Sequence, residues 1–214
     1  MQDPDGDGPE LVYVGDPMCS WCFGFAPVIQ GLHARHGDRV KMTLRMGGLH
    51  PGNDYVVANG YREFLREHWI EIGNRTGQKF CLDMLDRDPW IYDTELACRA
   101  LVTVRRLRPG QEWAYMPMIQ AGFYTHNRDP HDPESFAIPA QDLGIDRAEF
   151  LTAYAAPETR QETLGDFEWS RRMGISGFPT VVVHDARGWA LLTNGYRPIE
   201  ALEEPLAGWI ATAR

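Results

Sequence analysis

Leu11-Val12-Tyr13-Val14 is apolar at every position and is closed by Gly15-Asp16-Pro17, the pattern of a short strand covered on both faces. Beyond Cys22, Phe25, Ile29 and Leu32 recur at i, i+4, i+7, which predicts a packed helix with Gly37 as a natural residue just past its end. Pro27 lies inside that stripe, so a kink is expected near it. Val40, Met42, Leu44 and Met46 then alternate with Lys41, Thr43 and Arg45, the period of a strand with one wetter face, suited to a sheet edge. The opening segment therefore reads as strand, helix, strand: a βαβ unit with a right-handed crossover.

Matching sheet material returns only near the C-terminus. Thr180-Val181-Val182-Val183 and Trp189-Ala190-Leu191-Leu192-Thr193 read as two strands joined by Asp185-Ala186-Arg187-Gly188 as a hairpin turn. Leu202, Leu206 and Trp209 mark a final helix from Ile199 to about Ala213, in which Pro205 predicts a bend or a late start. The middle of the chain has helical pattern. Asp54 is a candidate cap for a helix with Val57, Tyr61, Phe64, Leu65, Trp69 and Ile72 on its buried side, and Thr94 for another through Ala97, Leu101, Val104 and Leu107. Further stripes run from Glu112 to Phe123, from Asp146 to Tyr154 and from Glu158 to Met173. The order predicts an α/β domain, residues 10–48 and 158–214, interrupted by an all-helical insertion, residues 49–157.

Composition adds exclusions. With 214 residues, 43% hydrophobic and 24% charged, the chain can bury a full core and is globular rather than disordered. A formal charge of −9 repels phosphate backbones, so no nucleic-acid partner is expected. No apolar run approaches the ~18 to 20 residues of a membrane span, so no membrane partner is expected. The start, Met1-Gln2-Asp3-Pro4-Asp5-Gly6-Asp7-Gly8-Pro9-Glu10, is acidic and rich in glycine and proline, the opposite of an export signal. A cytoplasmic protein is the expectation. Four cysteines are too few for a disulfide scaffold in a chain of this size.

The placement of those cysteines carries the chemistry. In Pro17-Met18-Cys19-Ser20-Trp21-Cys22, a Cys-x-x-Cys pair sits where a buried strand hands over to a helix, and unpaired N–H groups at a helix start favour negative charge there. Cys19 is then the attacking thiolate, and Cys22, one turn on, resolves the mixed disulfide. A second element, Gly174-Ile175-Ser176-Gly177-Phe178-Pro179-Thr180, opens the late β-branched strand. A cis Phe178-Pro179 bond would turn the Phe178 backbone toward an extended peptide beside Cys19.

Together, the strand-borne Cys-x-x-Cys and the Gly-Phe-Pro-Thr resemble the thioredoxin superfamily, and the helical insertion resembles its DsbA branch. Tyr13 to Pro27 is similar to the opening of bacterial DsbA-family protein-disulfide isomerases, as are Asp93 to Ala100 and the stretch from Gln120-Ala121-Gly122-Phe123-Tyr124 to Leu143-Gly144-Ile145-Asp146. The resemblance spans roughly residues 10 to 214. It implies a thioredoxin fold with an inserted all-helical lobe and thiol–disulfide exchange at Cys19 and Cys22, in the manner of an isomerase or reductase. It also implies that Ser20, Trp21, Phe178 and Pro179 face protein or peptide thiols and disulfides. No cofactor is implied, glutathione being a candidate redox partner. The best-known periplasmic members have Pro-His where this chain has Ser20-Trp21.

Other readings compete. The DsbA branch is similar to the kappa-class glutathione transferases and hydroxychromene-carboxylate isomerases, which act on small molecules but usually have Ser in place of the attacking cysteine. A chaperone-like binding module with an incidental thiol pair is a third reading. Zinc is disfavoured, because His33 and His36 follow Cys22 too closely and core helix fills the interval. Asp16 is read as a turn carboxylate or as a charge opposing the thiolate, and Trp21 as a substrate-facing ring or a packing residue. Cys98 is expected to be a buried structural thiol, neither it nor Cys81 being catalytic. Tyr61, Phe64 and Trp69 are expected in the core, unless some line a substrate groove.

Overall fold

In the computed structural model, which describes residues 8–214, the apolar run forms β1 (Glu10–Gly15), buried along its whole length. The acidic start on which the expectation of no export rests lies, as far as Asp7, outside the described residues. β1 is an inner strand of a sheet of order β2-β1-β3-β4. β2 (Lys41–Met46) pairs parallel to it, β3 (Thr180–Asp185) antiparallel, and β4 (Gly188–Asn194) antiparallel to β3. The continuous apolar run has a direct cause: Leu11 and Tyr13 join the main core, while Val12 and Val14 pack with Trp169 and Val182 on the other face.

Helix α1 (Ser20–His36) follows β1 and contributes Phe25, Ile29 and Leu32 to the main core. Between β2 and β3 come α2 (Asn59–Thr76), a short 3-10 turn (Leu82–Asp86), α3 (Glu95–Leu107), α4 (Glu112–Tyr124), α5 (Glu134–Asp142), α6 (Arg147–Ala155) and α7 (Pro157–Arg172). α8 (Ile199–Thr212) closes the chain with Leu202 and Leu206 buried. Trp69, Leu101, Tyr115 and Phe150 from the middle helices belong to the same cluster as Leu11 and Phe25. Among the described residues no helix is long and apolar enough to cross a membrane.

Several expectations need correction. α2 begins at Asn59 after Ala58, not at Asp54, because Val57 N–H is held by Trp90 O at 2.8 Å and Val56 bridges Ile91, which keeps that stretch extended. Tyr61 and Phe64 are 39% and 53% exposed, so only Leu65, Trp69 and Ile72 form the buried side of α2. Thr94 stands at the cap of α3, but its hydroxyl accepts the His50 N–H at 3.0 Å instead of capping. Gly37 ends α1 with an ordinary right-handed φ of −59°. α8 starts at Ile199 and continues through Pro205.

Two of the prolines inside helices, Pro27 and Pro117, are accommodated by neighbours. A helical proline removes the N–H that would bond the carbonyl four residues earlier. For Pro27 that carbonyl is Phe23 O, and it accepts Gln78 Nε2 at 2.8 Å. For Pro117 in α4 it is Trp113 O, which accepts Gln30 Nε2 at 2.6 Å. Each freed carbonyl thus becomes a tie between segments: Gln78 follows α2 and reaches α1, while Gln30 lies on α1 and reaches α4.

Gln78→Ala is expected to lower stability by about 1 kcal/mol in urea unfolding. In a Pro27→Ala background, where the helix supplies its own N–H to Phe23 O, the same change should cost close to nothing. An equal cost in both backgrounds would contradict this account.

Candidate active site

The site is built at the junction of β1 and α1. Past Gly15 the chain turns, with Cys19 N–H donating to Asp16 O at 3.1 Å, and Phe23 N–H donating to Cys19 O at 3.0 Å as the first helical bond. Cys19 is therefore the residue just before α1, in extended conformation, where the first-turn N–H groups have no partners within the helix. It is 5% exposed, and its thiol lies 3.6 Å from the Phe178 carbonyl, an acceptor from the opposite loop. The Phe178–Pro179 peptide is cis, and Pro179 O accepts Gly195 N–H at 2.7 Å, which ties the loop to the end of β4. Phe178 is held from below as well, since a Cβ on Gly47 would come within 2.1 Å of its ring.

Cys22 lies one helical turn deeper and is wholly buried. Burial drives its thiol well above the usual range, the neighbouring Cys19 adds to the rise, and the Asp16 backbone and the Tyr13 hydroxyl act against it. Ser20 is buried too, whereas Trp21 stays half-exposed. The indole of Trp21 meets His68 edge-on at 5.8 Å and Tyr196 at 6.0 Å, with the Arg75 guanidinium 5.4 Å from its centre. From His68 a row of rings continues over α2, stacking on Phe64 at 5.3 Å and then on Tyr61 at 5.8 Å.

Beneath the turn lies Asp16, with no exposed surface. One carboxylate oxygen accepts Met18 N–H at 2.8 Å, and the other accepts Leu49 N–H at 2.7 Å and the Cys98 thiol at 3.4 Å. Burial raises its pKa and these donors pull it back. Cys98, in turn, is pushed well up by burial and by Asp16, so it remains a thiol that donates to the carboxylate. The Met18 carbonyl receives two phenols, Tyr92 and Tyr124, the latter at 2.5 Å.

Cys19, Cys22, Trp21, Phe178 and Pro179 are thus brought to one place, with Ser20 turned inward. All four cysteines are free thiols, so Cys81 and Cys98 are not joined. His33 and His36 serve elsewhere: His33 stacks on Trp113 at 4.4 Å and His36 is 2.8 Å from Glu203. Sequence reasoning missed the support beneath the site, namely the depth of Asp16 and the roles of Tyr92, Tyr124 and Gly47. Only the spacing of Asp16 three residues before Cys19 hinted at it, because an Asp there can fold back onto its own turn.

A family model, the DSBA-like thioredoxin domain, matches residues 10–207. The chain belongs to that family. That family is one of thiol–disulfide oxidoreductases, and the chain has its thioredoxin fold. It is similar to a proposed protein disulfide isomerase from Nitrosomonas europaea at 35% identity and TM-score 0.85, over 96% of this chain and 98% of that one. It is also similar to the cytosolic disulfide reductase DsbM from Pseudomonas aeruginosa, at 22% identity and TM-score 0.70, over 95% of this chain and 96% of that one. The same reductase with GSH matches at 23% identity and TM-score 0.69, with the same coverage. The two DsbM likenesses show the fold.

In this DsbA-like site the contact between Gly47 and Phe178 sets the height of the loop facing Cys19. Gly47→Ala is expected to displace the Phe178 ring and to slow disulfide exchange at Cys19 about tenfold or more, with loss of ~1 to 3 kcal/mol in stability. Exchange kinetics with a small disulfide check the first effect and thermal unfolding the second; wild-type kinetics would remove Gly47 from the site.

Proposed function

We propose that this DsbA-like protein reduces or reshuffles disulfides in proteins and peptides, with Cys19 as nucleophile and Cys22 as resolving thiol. The observation that carries the reading is the Cys19 thiol at the start of α1, facing the Phe178 carbonyl, with Cys22 buried one turn behind. Cys19 thiolate attacks a substrate disulfide, forming a mixed disulfide and releasing one substrate thiolate. Cys22 then attacks Cys19 Sγ, which frees the second substrate thiol and leaves Cys19 and Cys22 joined. Two electrons have passed to the substrate, and two glutathione thiols can return them. Trp21, Phe178 and Pro179 form the walls an extended substrate meets, and Ser20 backs the motif.

One feature supports the reducing direction in a cytoplasmic setting, the likeness to a cytosolic reductase also known with GSH.

Cys22→Ala should accumulate mixed disulfides through Cys19 in a cell lysate, all released by dithiothreitol and none formed by Cys19→Ser. Their absence, both there and with a model peptide, would overturn the reading. Glutathione-dependent turnover of an aromatic small molecule that survives Cys22→Ala would replace it with a transferase or isomerase of the kappa type. Suppression of client aggregation that persists when both cysteines are serine would replace it with a binding module. Against glutathione, the Cys19–Cys22 potential should fall nearer ~−270 mV than ~−120 mV.

A further inference from the structure

Tyr13 lies at the centre of β1, its ring 1% exposed, stacked with Trp113 at 6.4 Å and tilted against Phe25 at 5.9 Å. The ring is an ordinary part of the core, but the hydroxyl is not: it is buried with no hydrogen bond among the described residues. A buried hydroxyl left unbonded costs free energy that a phenylalanine would avoid. The phenol lies along its own strand and over its last residue, since a Cβ on Gly15 would come within 2.6 Å of the hydroxyl oxygen. At that position it neighbours the Cys22 thiol without a hydrogen bond to it.

The other polar groups around the two thiols are already committed. Both oxygens of Asp16 are taken by Met18, Leu49 and Cys98. The hydroxyls of Tyr92 and Tyr124 both go to the Met18 carbonyl. The groups that act on Cys22 are Cys19 from the residue before α1, the Asp16 backbone from the turn, and the Tyr13 hydroxyl from β1. Burial and the neighbouring Cys22 both drive the Tyr13 phenol well above its ordinary range, so it keeps its proton and has one to donate in a hydrogen bond.

We infer that the Tyr13 hydroxyl is the hydrogen-bond donor that stabilises the Cys22 thiolate as it forms to resolve the mixed disulfide. The inference rests on the exchange reaction proposed above and adds a residue to it. In that step the Cys22 S–H bond breaks, Cys22 Sγ bonds to Cys19 Sγ, and the bond from Cys19 to the substrate sulfur breaks. The electron pair leaves on the substrate sulfur, which ends with the proton. Tyr13 gives up nothing; its hydroxyl lends a hydrogen bond to charge that exists only during resolution, which accounts for a hydroxyl that lies idle in the dithiol.

The test is Tyr13→Phe in the full chain, with Cys19 loaded as the mixed disulfide of 5-thio-2-nitrobenzoate, so that release of the chromophore reads resolution by Cys22 without a client. A lost bond to a charged acceptor raises the pKa of Cys22, and the more basic thiolate is a better nucleophile, which offsets part of the loss. The net expectation is release slowed roughly five- to tenfold at neutral pH, with the pH midpoint moved upward and the melting temperature unchanged or higher. A pH–rate profile superimposed on that of the wild type would overturn the inference. So would slow release accompanied by a lowered melting temperature, which would make the hydroxyl a structural group. Failure to trap client disulfides with Cys22→Ala would fault the proposed function while leaving this measurement standing.

Discussion

The arrangement of the site depends on a buried carboxylate held by neutral hydrogen-bond donors. Removing a carboxylate from water costs several kcal/mol unless donors replace the solvent. Asp16 meets that condition with the N–H groups of Met18 and Leu49 and the Cys98 thiol. The three donors come from the turn into α1, the segment after β2, and α3. One side chain therefore fixes three pieces of chain around the position from which Cys19 emerges. Satisfying Asp16 shapes the turn, and the turn sets the geometry of the thiols.

A second anchored carboxylate does comparable work at the edge of the sheet. Asp166 on α7 accepts Arg45 at 3.1 Å, Arg105 at 2.9 Å and the Met46 N–H at 3.0 Å, while Arg105 also donates to Leu44 O at 3.1 Å. The outer edge of β2 would otherwise offer unpaired backbone groups to another chain. Here two of them, Leu44 O and Met46 N–H, are bonded to Arg105 of α3 and Asp166 of α7. The same contacts hold the inserted helices against the sheet, so the loop after β2, which carries Gly47 and Leu49, starts from a fixed end. Through Gly47 that rigidity reaches Phe178, and through Leu49 it reaches Asp16.

Much of this was legible in the sequence because it is local. The double-sided apolar run of β1, the alternation of β2, the β-branched run of β3 and the helical stripes of α1, α3, α4, α6 and α7 follow from period alone. What escaped was set by partners distant in sequence. α2 begins late because residues 56 and 57 are held by residues 90 and 91. α5 has a low helical signal, with Pro139 inside it and Pro133 before it, and forms against a core the stripe does not reveal. Tyr61 and Phe64 fit a buried stripe, yet they lie on the outer side of α2, where they stack on one another and on His68. The two cysteines could be identified from the motif, but the Asp16, Tyr92, Tyr124 and Gly47 support could not, since each acts on a segment more than thirty residues away in the chain.

The two residues between the cysteines illustrate how packing divides roles within one motif. Ser20 turns into the protein, while Trp21 faces outward and would be free to rotate if nothing held it. Contacts with His68 and Tyr196, together with the Arg75 guanidinium over the ring, are worth on the order of 2 kcal/mol in sum. That exceeds the rotamer freedom of a half-exposed indole, so the ring is a fixed wall rather than a mobile flap. Its supports come from α2 and from the segment between β4 and α8. The surface beside the thiols is therefore assembled from segments distant in the chain, and they are other segments than those that hold the turn from below.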